Sequence, residues 1–187
     1  MNRREFIKTT GGIILASTTL LLPESVLAVT RQDTFWTQDR ILWMRRRQTG
    51  ETAILKFWSK GRYDFNEVAR FSYMMRDVVD KGAMVPMDIG LMNLYYGIQE
   101  WSRQIGIKDP RLDVNSGHRT PRHNANLEGA AENSLHIPGR AGDGTIRGLS
   151  PEQMAAKAKF FGIGGVGIYD SFVHTDTGRV RYWHGGS

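Results

Sequence analysis

An α+β fold, with a small antiparallel sheet packed against helices and an N-terminal hairpin, is what the order of hydrophobic patterns predicts. Three observations carry that expectation. Ile41 to Arg47 and Thr52 to Trp58 are β-rich runs flanking Gln48-Thr49-Gly50-Glu51, a short glycine-containing connection of the hairpin kind. Two long segments in mid-chain then repeat their apolar residues at helical spacing. Nearer the C-terminus, brief strand-like runs alternate with glycine turns.

Taken in order, the hairpin is followed by a second turn at Lys60-Gly61-Arg62. From Asn66 to about Asp80, Val68, Phe71, Met74, Met75, Val78 and Val79 line one face of an amphipathic helix, which Lys81-Gly82 closes in the manner of a C-cap. Asp88 caps a second helix, Ile89 to about Ser102, whose buried stripe is Leu91, Leu94, Tyr95, Ile98 and Trp101. A short strand over Arg111 to Asn115, a loop over Ser116 to Pro121 and a helix from Pro121 to about Ala131 come next. Ser150-Pro151-Glu152-Gln153 places a capping residue, an N1 proline and an N3 glutamine in register for a capping box, and the helix continues to Phe161 before Gly162. The glycines at 162, 164, 165 and 167 lack the Lys-Ser/Thr of a phosphate cradle and read as a tight turn before a strand at Val166 to Tyr169. Phe172 to Thr177 and Arg179 to Trp183 are two short strands around Gly178.

The N-terminus carries an address. Asn2-Arg3-Arg4-Glu5-Phe6-Ile7-Lys8 precedes an uncharged stretch from Thr9 to Leu22 and small residues at Val26-Leu27-Ala28. This resembles a twin-arginine export signal, so residues 1–28 are expected to be cleaved and residues 29–187 to form a single domain working in the periplasm. The apolar stretch is shorter than the roughly 20 residues a spanning helix needs, so no stable membrane span is expected after cleavage. With no cysteine in the chain, neither a disulfide nor a lipid on cysteine is available. The formal net charge of +6 suits an anionic partner, and an exported location removes nucleic acid from consideration. Arg45-Arg46-Arg47 is expected to be a solvated strand end without a role. The eight methionines are expected as core filler, since no Met-x-x-Met ladder marks a copper site. A monomer is expected.

Chemistry concentrates in the C-terminal third. His136 and Asp143, within Ser134-Leu135-His136-Ile137-Pro138-Gly139-Arg140-Ala141-Gly142-Asp143, and His174, within Phe172-Val173-His174-Thr175-Asp176-Thr177-Gly178, supply two imidazoles and a carboxylate. Zinc prefers such ligands, and three of them leave one position for water or a substrate oxygen. Such a site lowers the pKa of its water from about 15.7 toward about 7 and polarises a carbonyl. In an extended strand His174 and Asp176 share a face, so Asp176 either orients the histidine or serves as general base. Arg119 is the candidate stabiliser of an oxyanion, or a clamp on a substrate carboxylate.

Ser116-Gly117-His118-Arg119, Ser134-Leu135-His136 with Gly139-Arg140-Ala141 and Asp143, Gly164-Gly165-Val166-Gly167, the His174 segment and Arg181-Tyr182-Trp183 stand in a familiar order. The chain resembles murein endopeptidases of the MepK type, within the LAS group of zinc peptidases named for lysostaphin, D-alanyl-D-alanine carboxypeptidase and sonic hedgehog. The resemblance covers nearly all of residues 29–187. It implies zinc on His136, Asp143 and His174, the loop arginine at Arg119, a substrate-binding serine at Ser134, and hydrolysis of peptide cross-links or stem peptides of peptidoglycan. The positions two and three before His174, where that group often has its base, are Phe172 and Ser171. Asp176 is the first choice of base and Asp170 the second. His118 replaces a frequent tyrosine, and touching substrate, supplementary base and facing water are its three open roles; His123 and His184 are expected to face water. Two other functions fit the same residues: a zinc-stabilised peptidoglycan-binding protein without turnover, and a D,D- or L,D-carboxypeptidase.

Overall fold

Alternation of large apolar and polar side chains builds the first hairpin. In the computed structural model, which describes residues 35–185, β1 (Arg40–Arg46) pairs antiparallel with β2 (Thr52–Ser59). Leu42, Met44, Leu55 and Phe57 are fully buried, while Ile41 and Ile54 face outward. Lys60 and Gly61, with φ of 51° and 79°, turn the chain into β3 (Arg62–Tyr63), the two left-handed residues that a tight hairpin turn demands. The same alternation corrects the expectation for the arginine triplet. Arg46 has the parity of Leu42 and Met44, so it points into the core at 2% exposure, its Nε and Nη1 without hydrogen-bond partners. Burial, with repulsion from Arg76, pushes its pKa down to about 10.

Asp64 starts α1 (Phe65–Met74) by accepting the N–H groups of Asn66 and Glu67. The helix stops well short of the expected Asp80. Tertiary partners take over there: the carbonyl of Met75 accepts the N–H of His118 at 2.7 Å, and the carboxylate of Asp77 accepts the N–H groups of Val79, Asp80 and Thr120. Lys81 and Gly82 do adopt positive φ, at 56° and 75°, but in a turn and not as a helix cap.

The second long helix, α2 (Ile89–Gln104), begins at Asp88 and buries Leu91, Leu94, Tyr95 and Ile98 as the periodicity predicts. Its Gln99 is fully buried and serves as a surrogate strand: its amide accepts the N–H of Trp43 at 2.9 Å and donates to the carbonyl of Trp43 at 2.8 Å. A surrogate is needed because β4 (Leu112–Ser116) runs parallel to β1 only from Met44 onward. The helix predicted to Ala131 is the single turn α3 (Pro121–Ala125), capped by Thr120. Next comes β5 (Ala141–Ile146), which sequence patterning missed. The capping box at Ser150 and the left-handed Gly162, φ 61°, bound α4 (Pro151–Phe161) as expected. The chain ends in β6 (Gly165–Ile168), β7 (Val173–Asp176) and β8 (Arg181–His184).

The fold class is α+β, but the sheet is neither small nor wholly antiparallel. Eight strands run in the order β3-β2-β1-β4-β5-β7-β6-β8, with parallel joins between β1 and β4 and between β6 and β8. The hairpin therefore belongs to the same sheet as the C-terminal strands. β7 and β8 flank Gly178 without pairing, because β8 crosses to the far side of β6. Helices α1, α2 and α4 pack on the sheet. Met44, Met74, Met75, Met87, Met92 and Met154 fill the core with the aromatic and aliphatic side chains. Gly142 abuts the Tyr95 hydroxyl and Met75, so its neighbour Asp143 faces away from the helices. The expected export signal at residues 1–28 and its expected cleavage point lie outside the described residues. No helix among the described residues is long and apolar enough to cross a membrane.

Candidate metal centre and cleft

β5 and β7 are adjacent and pair Asp143 with His174. His136 reaches the same point from the loop before β5, its ring Nδ1 2.6 Å from the carbonyl oxygen of Gly117. The loop after β4 that carries Gly117 fits closely against the end of α1, since a side-chain carbon on Gly117 would lie 2.2 Å from the Met75 carbonyl oxygen. With Nδ1–H donated to Gly117, the Nε2 lone pair of His136 turns toward the cluster. His174 is oriented the opposite way: Nε2 lies 3.1 Å from Asp176 Oδ2, and Nδ1 faces His136 and Asp143.

Three ligand atoms thus converge. His136 Nε2 and His174 Nδ1 are 3.2 Å apart, His174 Nδ1 and Asp143 Oδ1 2.9 Å, and His136 Nε2 and Asp143 Oδ1 3.3 Å. Tetrahedral zinc with ligands at about 2.0–2.1 Å separates its ligand atoms by about 3.3 Å, so the triangle has the size such an ion requires. His136, Asp143 and His174 are the residues among those described that could hold a metal ion. Their electrostatics suit a cation. Burial lowers the pKa of His136, keeping the imidazole neutral, whereas for Asp143 the two histidines outweigh burial and keep its carboxyl well below the ordinary range. For His174 burial is outweighed by hydrogen bonds to Asp143 and Asp176, which raise it.

Arg119 stands beside the cluster and not free in the cleft. Its Nη2 donates to Asp143 Oδ2 and its Nε to Ser116 Oγ at 2.9 Å, leaving Oδ1 of the aspartate for the histidine side. Ser134 lines the cleft and accepts the N–H of His136 at 3.4 Å. Corrections fall on two other residues. His118 neither faces water nor lines the cleft: it is 5% exposed, its Nδ1 3.2 Å from the carbonyl oxygen of His136, because its loop is pinned under α1 by the bond to Met75. His123 lies against Asp77, Nδ1 to Oδ2 2.9 Å, while His184 is exposed as expected. Asp176, first choice as base, is fully buried behind His174, accepting from Arg181 and from the N–H groups of Gly165 and Gly178. Against the effect of burial, His174 and Arg181 keep its carboxyl far below the ordinary range. Those surroundings orient a histidine, one of the two roles expected of Asp176. Asp170 is exposed and outside the cleft lining.

The cleft, about 810 Å³, has one wall from the loop at Glu128 to Leu135 and another of aromatic side chains. Tyr169 and Phe172 stack at 4.5 Å and 10°, and Trp183 lies 5.3 Å from the His174 ring. Sequence reading gave this wall no role, yet the parity of β8 puts Arg181 and Trp183 on one face. The glycine run is its counterpart. A side-chain carbon on Gly167 would lie 2.4 Å from Trp183, and one on Gly164 2.0 Å from the Asp176 carbonyl oxygen.

Two imidazoles and a carboxylate on the floor of an open cleft, each fixed by a further hydrogen bond, define a metal-dependent hydrolase. The chain belongs to the peptidoglycan L,D-endopeptidase MepK family, whose model matches residues 35–183. It is 33% identical to a probable peptidoglycan L,D-endopeptidase MepK of Haemophilus influenzae, over 98% of this chain and 96% of the relative. It is 30% identical to the peptidoglycan L,D-endopeptidase MepK of Escherichia coli K12, over 97% of each. No solved structure matches the chain.

Proposed function

We propose that the protein is a zinc-dependent peptidoglycan endopeptidase that cuts peptide cross-links between an L- and a D-configured centre after export to the periplasm. The single observation that carries this reading is the triangle of His136 Nε2, Asp143 Oδ1 and His174 Nδ1, sized for one tetrahedral ion, in a chain whose relatives are named L,D-endopeptidases. Zinc held there would supply an activated water and polarise the scissile carbonyl. The chain's own residues set the stage for it. Gly117 and Asp176 fix the two imidazole rings, and Arg119 holds one oxygen of Asp143 so that the other is presented alone. With at most five N–H donors, Arg119 keeps others for a substrate oxygen. The stacked Tyr169–Phe172 pair and Trp183 line the same cleft as Ser134 and offer a flat apolar surface to the extended peptide. The twin-arginine signal and the basic charge of the chain support delivery to an anionic wall.

The test is mass analysis of sacculi digested by the purified protein, with and without chelator. Chelator-sensitive loss of cross-linked dimers is the expected result, and the product masses distinguish 3-3 from 4-3 linkages. Loss of a terminal residue with dimers intact would make it a carboxypeptidase. Binding without new muropeptides would make it a scaffold.

A further inference from the structure

β8 is separated from β7 by β6, yet one of its side chains reaches across. Arg181 pairs in register with Gly165 and extends over it to Asp176 on β7, with Nη2 2.7 Å from Oδ2 and Nη1 3.1 Å from Oδ1. Two strand spacings amount to about 9.6 Å, a span an extended arginine covers. The passage exists because position 165 has no side chain: a carbon there would lie 2.4 Å from Arg181 Nη1 and 2.5 Å from Asp176 Oδ2. The N–H of Gly165 completes the arrangement, donating to Asp176 Oδ1 at 2.9 Å. Asp176 is fully buried, and its Oδ2 is the oxygen that faces His174 Nε2.

We propose that Arg181 is a positioning residue for the metal centre: reaching through the gap at Gly165, it fixes the carboxylate of Asp176 and, through it, the ring of His174. Planar bidentate geometry is what makes the arginine suited to this, since it sets the rotation of the carboxylate as well as its charge. Without that restraint, Asp176 is held only through Oδ1, by the N–H groups of Gly165 and Gly178, so Oδ2 is less closely fixed against Nε2 and the Nδ1 lone pair of His174 less closely aimed at the point it shares with His136 and Asp143. Residues that orient a metal-ligating histidine from behind typically contribute about 10–100-fold to metal affinity.

The proposal rests on the zinc reading above, and zinc affinity, measured on the whole folded protein by competition with a chromophoric chelator, tests it. Arg181→Met should weaken zinc binding by about 10–100-fold, and Arg181→Lys, a single point charge, by less. Gly165→Ala should weaken it while leaving the arginine in the chain, which keeps the test alive where Arg181→Met does not fold. Arg179→Met, on the exposed approach to β8, should bind zinc as the wild type does. In the Asp176→Asn background Arg181→Met should add no more than about twofold, because its path to the metal runs through that carboxylate. Long-range nitrogen NMR of the zinc-free protein, at a pH where the ring is neutral, should find His174 as a single Nε2–H tautomer in the wild type and as a mixture in Arg181→Met. Wild-type affinity in both Arg181→Met and Gly165→Ala, or equal losses with and without Asp176, overturns the role of Arg181. A wild-type protein that takes up no zinc overturns the reading beneath it.

Discussion

The two halves of the sheet are built on different principles. In β1 and β2 the inward positions carry Leu42, Met44, Leu55 and Phe57, so that half is held by volume. In β5 and β6 the sequences are Ala-Gly-Asp-Gly-Thr-Ile and Gly-Val-Gly-Ile, and most positions are buried although few have bulk. There the space that side chains would fill is crossed by Arg181 and Trp183 or lies under Tyr95 and Met75. One half packs; the other leaves room for polar groups to be placed to within tenths of an ångström. A fold can thus keep its stability and its chemistry on separate stretches of a single sheet.

The sharpest way to break this comparison is to remove a ligand. His136→Ala should take zinc content from one ion per chain to near none and muropeptide release to background; full occupancy by metal analysis would reject the assignment. In the packed half, Phe57→Ala should cost about 3–5 kcal/mol in urea denaturation while the remaining folded molecules keep wild-type zinc affinity. If their zinc affinity falls as well, the halves are not independent. Asp176→Asn should weaken zinc by about 10–100-fold, with the rate largely restored at saturating zinc. A rate that stays low at full occupancy would return Asp176 to the role of base. Gly167→Ala, forcing a carbon against Trp183, should cost about 1–3 kcal/mol and raise KM, whereas Ile54→Ala on the exposed face of the hairpin should change stability by less than about 0.5 kcal/mol.

The smallest effect concerns pH. Burial alone would raise the Asp77 carboxyl, but the N–H groups of Thr120 and Asp80 and the His123 ring outweigh it and hold it below the ordinary 3.8. A carboxyl lowered in the folded state contributes stability that is present above about pH 4 and lost as pH falls through its folded value. Asp77→Asn should therefore flatten the acid limb of a stability–pH curve below pH 4 and leave its shape near neutrality unchanged.

Legibility in the sequence follows the same division. The hairpin, α2 and α4 were readable because apolar period, Asp88 and the Ser150 capping box agree locally with the tertiary outcome. α1 ends earlier than its apolar period suggests because Met75 and Asp77 give their hydrogen-bonding groups to the loop at His118 and Thr120, partners distant in sequence. β5 was invisible: glycine and aspartate oppose strand propensity, and only pairing with β4 and β7 makes it one. The three side chains that meet as a candidate metal site were readable through their motifs. So was the shared face of His174 and Asp176; the burial of Asp176 and of His118 was not, since motif spacing and strand parity say nothing of what packs behind a side chain.

Gln99 has a consequence for how this molecule behaves in company. By occupying the N–H and carbonyl of Trp43 where β4 has not yet begun, a side chain closes a slot that an extended segment of a neighbouring molecule would otherwise find open. Gln99→Leu should therefore uncover a sticky seam, seen as concentration-dependent self-association under conditions where the parent stays dispersed.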